Sequence, residues 1–186
     1  GGAEGAGVAS LSSLDGALSE FGRAVIDHLP ASAPPRFARG PDGAPLRCTG
    51  GTDLMLACYP GGGASYGLHI DNVDGDGRRG VDLGRCFALV YYLPSPAVGP
   101  PQGTPSLGRG GALRLHIPEA DGPRVVAEGP SARWSTVDVP PCEDSLVMFR
   151  SDWLPHQVLP THSLRFSALM WFFAGAQRDP AAPRMR

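Results

Sequence analysis

The 186-residue sequence has no apolar run long enough to cross a bilayer as a helix, and its first residues carry no basic-then-apolar leader pattern. No membrane partner is expected. It also lacks an excess of either charge. With a formal net charge of −2 it offers no global basic field to attract a phosphate backbone, so a nucleic-acid partner is not expected. Its four cysteines (Cys48, Cys58, Cys86 and Cys142) form no C-x-x-C pair. Such spacing supplies neither a zinc knuckle nor a disulfide framework. It predicts free thiols in a cytoplasmic protein, with the nucleus as a second location. There is no internal repeat, and the expected assembly state is a monomer.

Glycine (26) and proline (20) are abundant instead, together about a quarter of the chain. They fall in the N-terminal third and between apolar runs, where they read as turns and insertions. Residues 1–12 read as a flexible linker and 176–186 as a flexible tail, leaving 13–175 as one folded domain. From Leu14 to Leu29 apolar residues recur at helical spacing, with Asp15 placed in the first turn and Pro30 marking the end. The helix therefore has an apolar face to cover, and a sheet is its expected partner. Residues 30–51 read as loop.

Beyond that point the pattern is β. Strands are predicted over 54–59, 66–71, 85–93, 112–117, 145–149, 157–159 and 164–173. Many short strands separated by turn signals predict a sandwich or barrel, mainly β with a flanking helix.

The segment Tyr66-Gly67-Leu68-His69-Ile70-Asp71 carries the chemistry. On a strand, residues i and i+2 share a face, so His69 and Asp71 would project together. An imidazole and a carboxylate are two adjacent metal ligands, and His156, in Pro155-His156-Gln157, is the best third. Two His and one carboxylate leave three positions open, the facial triad of non-haem Fe(II) oxygenases. Arg165 follows nine residues later, and a hairpin turning at Pro160 would place both side chains in one barrel. Arg165, Ser167, Leu169 and Trp171 alternate on one face. An Arg among apolar neighbours needs an anion, and the distal carboxylate of 2-oxoglutarate matches its planar fork.

Several other runs only imitate sites. Asn72-x-Asp74-x-Asp76-Gly77 resembles the start of a calcium loop, but position 12 would be Leu83 where a Glu is required. Gly61-Gly62-Gly63 lacks the Lys-Ser/Thr of a phosphate loop and reads as a turn. His28, His116 and His162 read as structural or surface residues.

The stretches MLACYPGGGASYGLHIDN, GDG, RCFALVYYLP, GGALRLHIP and PHQVLPTHSLRFSALMWFF, over residues 54–173, resemble the hypoxia-inducible-factor-type (Egl-nine-like) prolyl 4-hydroxylases. Collagen-type prolyl hydroxylases usually place Lys at the position of Arg165. The resemblance implies a double-stranded β-helix (jelly-roll) core. It matches His69, Asp71 and His156 to the iron ligands and Arg165 to the residue pairing with the co-substrate. It also matches Tyr92 and Tyr59 to pocket tyrosines, and Met55, Leu113 and Val158 to apolar lining. Tyr66 and Trp171 match residues beside the target proline, and Arg85 matches a substrate-contacting arginine for which Arg78 competes. The implied cofactors are Fe(II), 2-oxoglutarate and O₂, with ascorbate as a further small molecule.

The implied reaction couples oxidative decarboxylation of 2-oxoglutarate to hydroxylation of a proline at C4. Family substrates include a hypoxia-response transcription factor, a Skp-type ubiquitin-ligase adaptor and a bacterial elongation factor, and oxygen sensing is an implied role. Two features depart from the family. Seven extra residues, 78–84, separate GDG from RCFALVYYL, and the family's early segment with its substrate-gripping finger is not recognisable. Two other classes stay open: an oxygenase acting on a small molecule or nucleic acid, and a non-catalytic binding module of the same fold.

Overall fold

The computed structural model describes residues 2–30, 32–40, 43–71, 82–94, 109–118 and 134–176. The calcium-like run 72–77, Arg78 and residues 177–186 of the expected tail lie outside them.

Helix α1 spans Gly2–Asp27 and packs on a sheet, as its apolar face requires. It starts earlier than the apolar spacing predicts, so most of the expected linker 1–12 is helical. No proline interrupts residues 1–29, and once a helix is nucleated each added residue costs little. Asp15 is consequently mid-helix, not in the first turn, and its Oδ1 accepts the Leu54 N–H at 3.1 Å. Gly22 is the point of closest approach. A Cβ there would lie 2.1 Å from the Phe172 ring, which is fully buried.

The segment 30–51, expected as loop, contains a short helix α2 (Pro35–Ala38) and strand β1 (Leu46–Gly51). Its proline and glycine content hid a strand that is fixed by tertiary pairing and by burial of Leu46 to 2% exposure. The remaining strands are β2 (Met55–Tyr59), β3 (Ala64–His69), β4 (Asp82–Tyr92), β5 (Leu113–Pro118), β6 (Trp134–Val139), β7 (Ser145–Arg150), β8 (His156–Thr161) and β9 (Arg165–Ala176). Strand β6 has no counterpart in the sequence reading. It is an edge strand, largely exposed, and lacks the apolar alternation that marks a strand with one buried face.

Two antiparallel sheets result. One runs β1-β9-β4-β7, with β2 also on β9; the other runs β3-β8-β5-β6. Strands β1 and β2 share one edge of β9, β1 pairing its C-terminal half and β2 its N-terminal half. Strand alternation then divides β9 between two environments. Ala168, Met170, Phe172 and Ala174 face the helix, with Phe87 and Leu89 from β4. Arg165, Ser167, Leu169 and Trp171 face a cavity between the sheets. This is the jelly-roll arrangement expected from the sequence.

Candidate active site

The cavity is about 620 Å³, and all twelve residues singled out from the sequence line it. At one end are His69, Asp71 and His156. Strands β3 and β8 pair with His69 directly opposite His156, bringing the ring centroids to 4.2 Å. A register shift between Tyr66 and His69 turns both side chains toward the cavity, with ring centroids 4.7 Å apart.

Asp71 lies beyond the end of β3, so simple strand alternation does not place it. Its N–H donates to Ser151 O at 3.0 Å, which ties it to the turn after β7. Asp71 Oδ1 sits 3.3 Å from His69 Nε2 and 3.7 Å from His156 Nε2, and one donor atom from each residue falls within 4.8 Å of the others.

The donor set fits a divalent metal. His69 Nδ1 is 2.8 Å from Gly67 O, and His156 Nδ1 is 2.9 Å from Leu154 O. A carbonyl only accepts, so each Nδ1 carries a proton and each Nε2 is turned inward, where loss of any proton it shares with Asp71 leaves a lone pair for a metal. This is the tautomer a ligating imidazole requires. The electrostatics are divided. The hydrogen bond with Asp71 pushes His69 up, against its burial, whereas burial holds His156 below the usual histidine range. Burial opposes ionisation of Asp71, yet hydrogen bonds from His69 and Trp171 keep its carboxyl below the usual range.

Arg165 lies at the other end of the β9 row. Its guanidinium stacks 4.2 Å from the Tyr59 ring centroid and 5.6 Å from that of Tyr92. Nη1 donates to Ser167 Oγ at 3.1 Å and Nη2 to Gly111 O at 3.0 Å. Nε is buried with no hydrogen-bond partner, and no described carboxylate pairs with the group. A desolvated cation that keeps free N–H groups toward a cavity is matched by an anionic ligand. Burial pushes the Tyr92 phenol up to about 12, so it remains a protonated donor at neutral pH.

Gly111 permits this arrangement. Its φ is +74°, and a Cβ would lie 2.9 Å from Arg165 Nε. Leu113 and Val158 form a cross-strand pair between β5 and β8 on the opposing sheet. Met55, Tyr66 and Arg85 are exposed at the rim.

The expected hairpin from His156 to Arg165 does not form. Strand β8 belongs to the sheet with β3, and β9 to the other, so the two residues face each other across the cavity from different sheets. Pro160 lies within β8, and the chain turns at 162–164.

The sequence reading also missed Arg150 and Asp152. Arg150, 3% exposed, donates from Nε to Asp152 Oδ1 at 2.7 Å and from Nη2 to Oδ2 at 2.6 Å, and Nη1 reaches Phe37 O at 3.2 Å. This bidentate pair shapes the turn that offers Ser151 O to Asp71 and Leu154 O to His156. Asp152→Ala should cost about 3–5 kcal/mol of stability, because it strands a buried guanidinium. Urea denaturation checks this, and a loss under about 1 kcal/mol, the scale of an exposed ion pair, contradicts it. The available signal was weak: Arg and Asp at i and i+2 in a Ser-containing turn.

All four cysteines are free, and no helix among the described residues is long and apolar enough to cross a membrane.

Human prolyl hydroxylase EGLN3 is 32% identical over 133 residues, which are 71% of this chain and 44% of that protein. Rat Egl nine homolog 1 is 32% identical over 136 residues, 73% of this chain and 32% of that protein. The chain thus spans less than half the length of these relatives. A prolyl hydroxylase from Trichoplax adhaerens, solved with a hypoxia-inducible-factor oxygen-degradation-domain peptide fragment, superposes with a TM-score of 0.50 at 32% identity. It covers 69% of this chain and 46% of its own. Residues 54–173 match the 2OG-Fe(II) oxygenase superfamily, and the chain belongs to that superfamily, which implies Fe(II), 2-oxoglutarate and O₂ as metal, co-substrate and oxidant.

Proposed function

We propose that the chain is the catalytic unit of a peptidyl-prolyl 4-hydroxylase, with residues 13–175 as its core. The observation that carries this reading is one cavity with a His-Asp-His donor set at one end and, at the other, a half-buried Arg165 whose buried Nε has no partner and which no described carboxylate pairs. His69, Asp71 and His156 would hold Fe(II). When bound, that ion supplies oxidative decarboxylation of 2-oxoglutarate to succinate and CO₂, coupled to hydroxylation of a C–H bond by O₂.

The chain's own residues supply the remainder. Arg165, fixed by Ser167 and Gly111, receives the distal carboxylate of 2-oxoglutarate, and the Tyr92 hydroxyl donates to the same group. Tyr59 stacks on the guanidinium and limits its approach to one plane. Leu113 and Val158 keep water from the co-substrate, which strengthens each polar contact, and Met55 extends the apolar lining to the rim. Tyr66, Trp171 and Arg85 receive the substrate at the open side.

The relatives named as prolyl hydroxylases, one of them solved with a hypoxia-factor peptide fragment, support a proline-containing protein as substrate, and a hypoxia-factor-like or Skp-type adaptor substrate is part of the proposal. An oxygen-sensing role, action as a monomer in the cytoplasm or nucleus, and binding of ascorbate belong to the same proposal. The test is succinate release by Fe(II)-loaded protein. A proline-containing peptide should stimulate it, and the same peptide with alanine for proline should not. Equal stimulation by both peptides, or by an oligonucleotide alone, contradicts the proposal.

A further inference from the structure

The Asp71 carboxylate has two oxygens with separate environments. Oδ1 faces both imidazoles, and Oδ2 accepts the indole N–H of Trp171 at 2.6 Å. An oxygen already held by a hydrogen bond leaves the other as the one free to act as a metal donor, and such outer partners fix the orientation of a ligating carboxylate. We propose that Trp171 is a positioning residue for the Asp71 carboxylate: by holding Oδ2, its indole N–H keeps Oδ1 turned toward the two imidazoles and preorganised as a donor. The inference rests on the metal-binding reading of the triad and gives Trp171 a task beyond lining the substrate side.

The indole is itself held in place. Trp171 N donates to Thr52 Oγ1 at 3.1 Å, and Thr52 N donates to Trp171 O at 2.9 Å, which clamps the backbone where β9 passes from β2 to β1. Above the ring, the Arg85 guanidinium lies 4.6 Å from the centroid. A cation over the π face draws electron density from the ring and makes the N–H a stronger donor. The chain of contacts therefore runs from the exposed Arg85, through Trp171, to the Asp71 oxygen that does not face the imidazoles. The Asp71 backbone is tied by its N–H to Ser151 O, and its carboxylate by Oδ2 to the indole, so both ends of the side chain are held.

The test is a double-mutant cycle read by metal affinity. Ni(II) is the probe, because it binds imidazole-containing sites more tightly than Fe(II) and keeps weakened variants measurable. The apo protein, Trp171→Phe, Asp71→Gly and the double variant are titrated by calorimetry. Trp171→Phe should weaken Ni(II) binding by about 10–100-fold, the usual effect of removing an outer-shell partner. In the Asp71→Gly background the same substitution should change affinity by less than about twofold, because the group it acts through is gone. Equal losses in both backgrounds, or wild-type affinity in a folded Trp171→Phe, overturn the inference. A wild-type chain that does not bind Ni(II) overturns the metal site itself, so the two failures are distinguishable.

If Trp171→Phe does not fold, the unaltered protein still decides. Trp134→Phe and Trp153→Phe assign the Trp171 indole proton by elimination. That proton should exchange slowly with solvent and move on addition of diamagnetic Zn(II). Fast exchange without a Zn(II) response overturns the inference.

Discussion

His69→Ala, Asp71→Ala and His156→Ala are each expected to lower turnover by more than about 100-fold, a larger effect than outer-shell changes produce. The three donors come from one strand pair and one adjoining turn, and no other His, Cys, Asp or Glu among the described residues joins the cluster. A lost ligand therefore has no substitute. Each variant should remain folded, since α1 and the helix-facing core of β4 and β9 lie on the other side of the sheet from the triad. Succinate release at saturating Fe(II), alongside thermal unfolding of the apo proteins, measures both. If two of the three variants keep wild-type turnover, the triad is misassigned.

The second large effect is expected at Arg165. Two of its five N–H groups are committed to Ser167 and Gly111, which leaves three to meet a carboxylate. Lysine retains the charge but lacks the planar fork, and it cannot satisfy Ser167, Gly111 and a ligand together. Arg165→Lys should raise the apparent Michaelis constant for 2-oxoglutarate by roughly tenfold to a hundredfold, equivalent to about 1.5–3 kcal/mol for one charge-assisted hydrogen bond. The constant for the proline peptide should change much less. Tyr92→Phe should act in the same direction with a smaller effect, because it removes a hydrogen bond and leaves the cation. Collapse of peptide affinity with 2-oxoglutarate affinity intact would place Arg165 at the substrate instead.

Much of the site was legible because its signals are local. The triad rests on residue types that few other arrangements require, and alternation along β9 correctly put Arg165 and Trp171 on one face. What local pattern misjudged was how the donors meet. Asp71 was read as a strand neighbour of His69, whereas it lies past the strand end and is held by Ser151 O. His156 and Arg165 were read as hairpin partners, whereas the chain changes sheets between them.

Both errors share a cause. Alternation specifies the face of a strand but not its partner strand, and bulges shift the register without a sequence signature. The same limit hid β1 and β6, whose existence depends on pairing with β9 and β5. It also hid the Trp171–Asp71 hydrogen bond, which joins residues a hundred positions apart.

The central claim is that one cavity couples 2-oxoglutarate oxidation to oxygenation of a prolyl residue. The most direct measurement is mass spectrometry of both products after turnover under isotopically heavy dioxygen in ordinary water. The account predicts one heavy oxygen atom on the peptide's proline and one in the succinate formed with it, in equal amounts. Succinate formed without any gain of heavy oxygen by the peptide, or oxygen drawn from water, would contradict it.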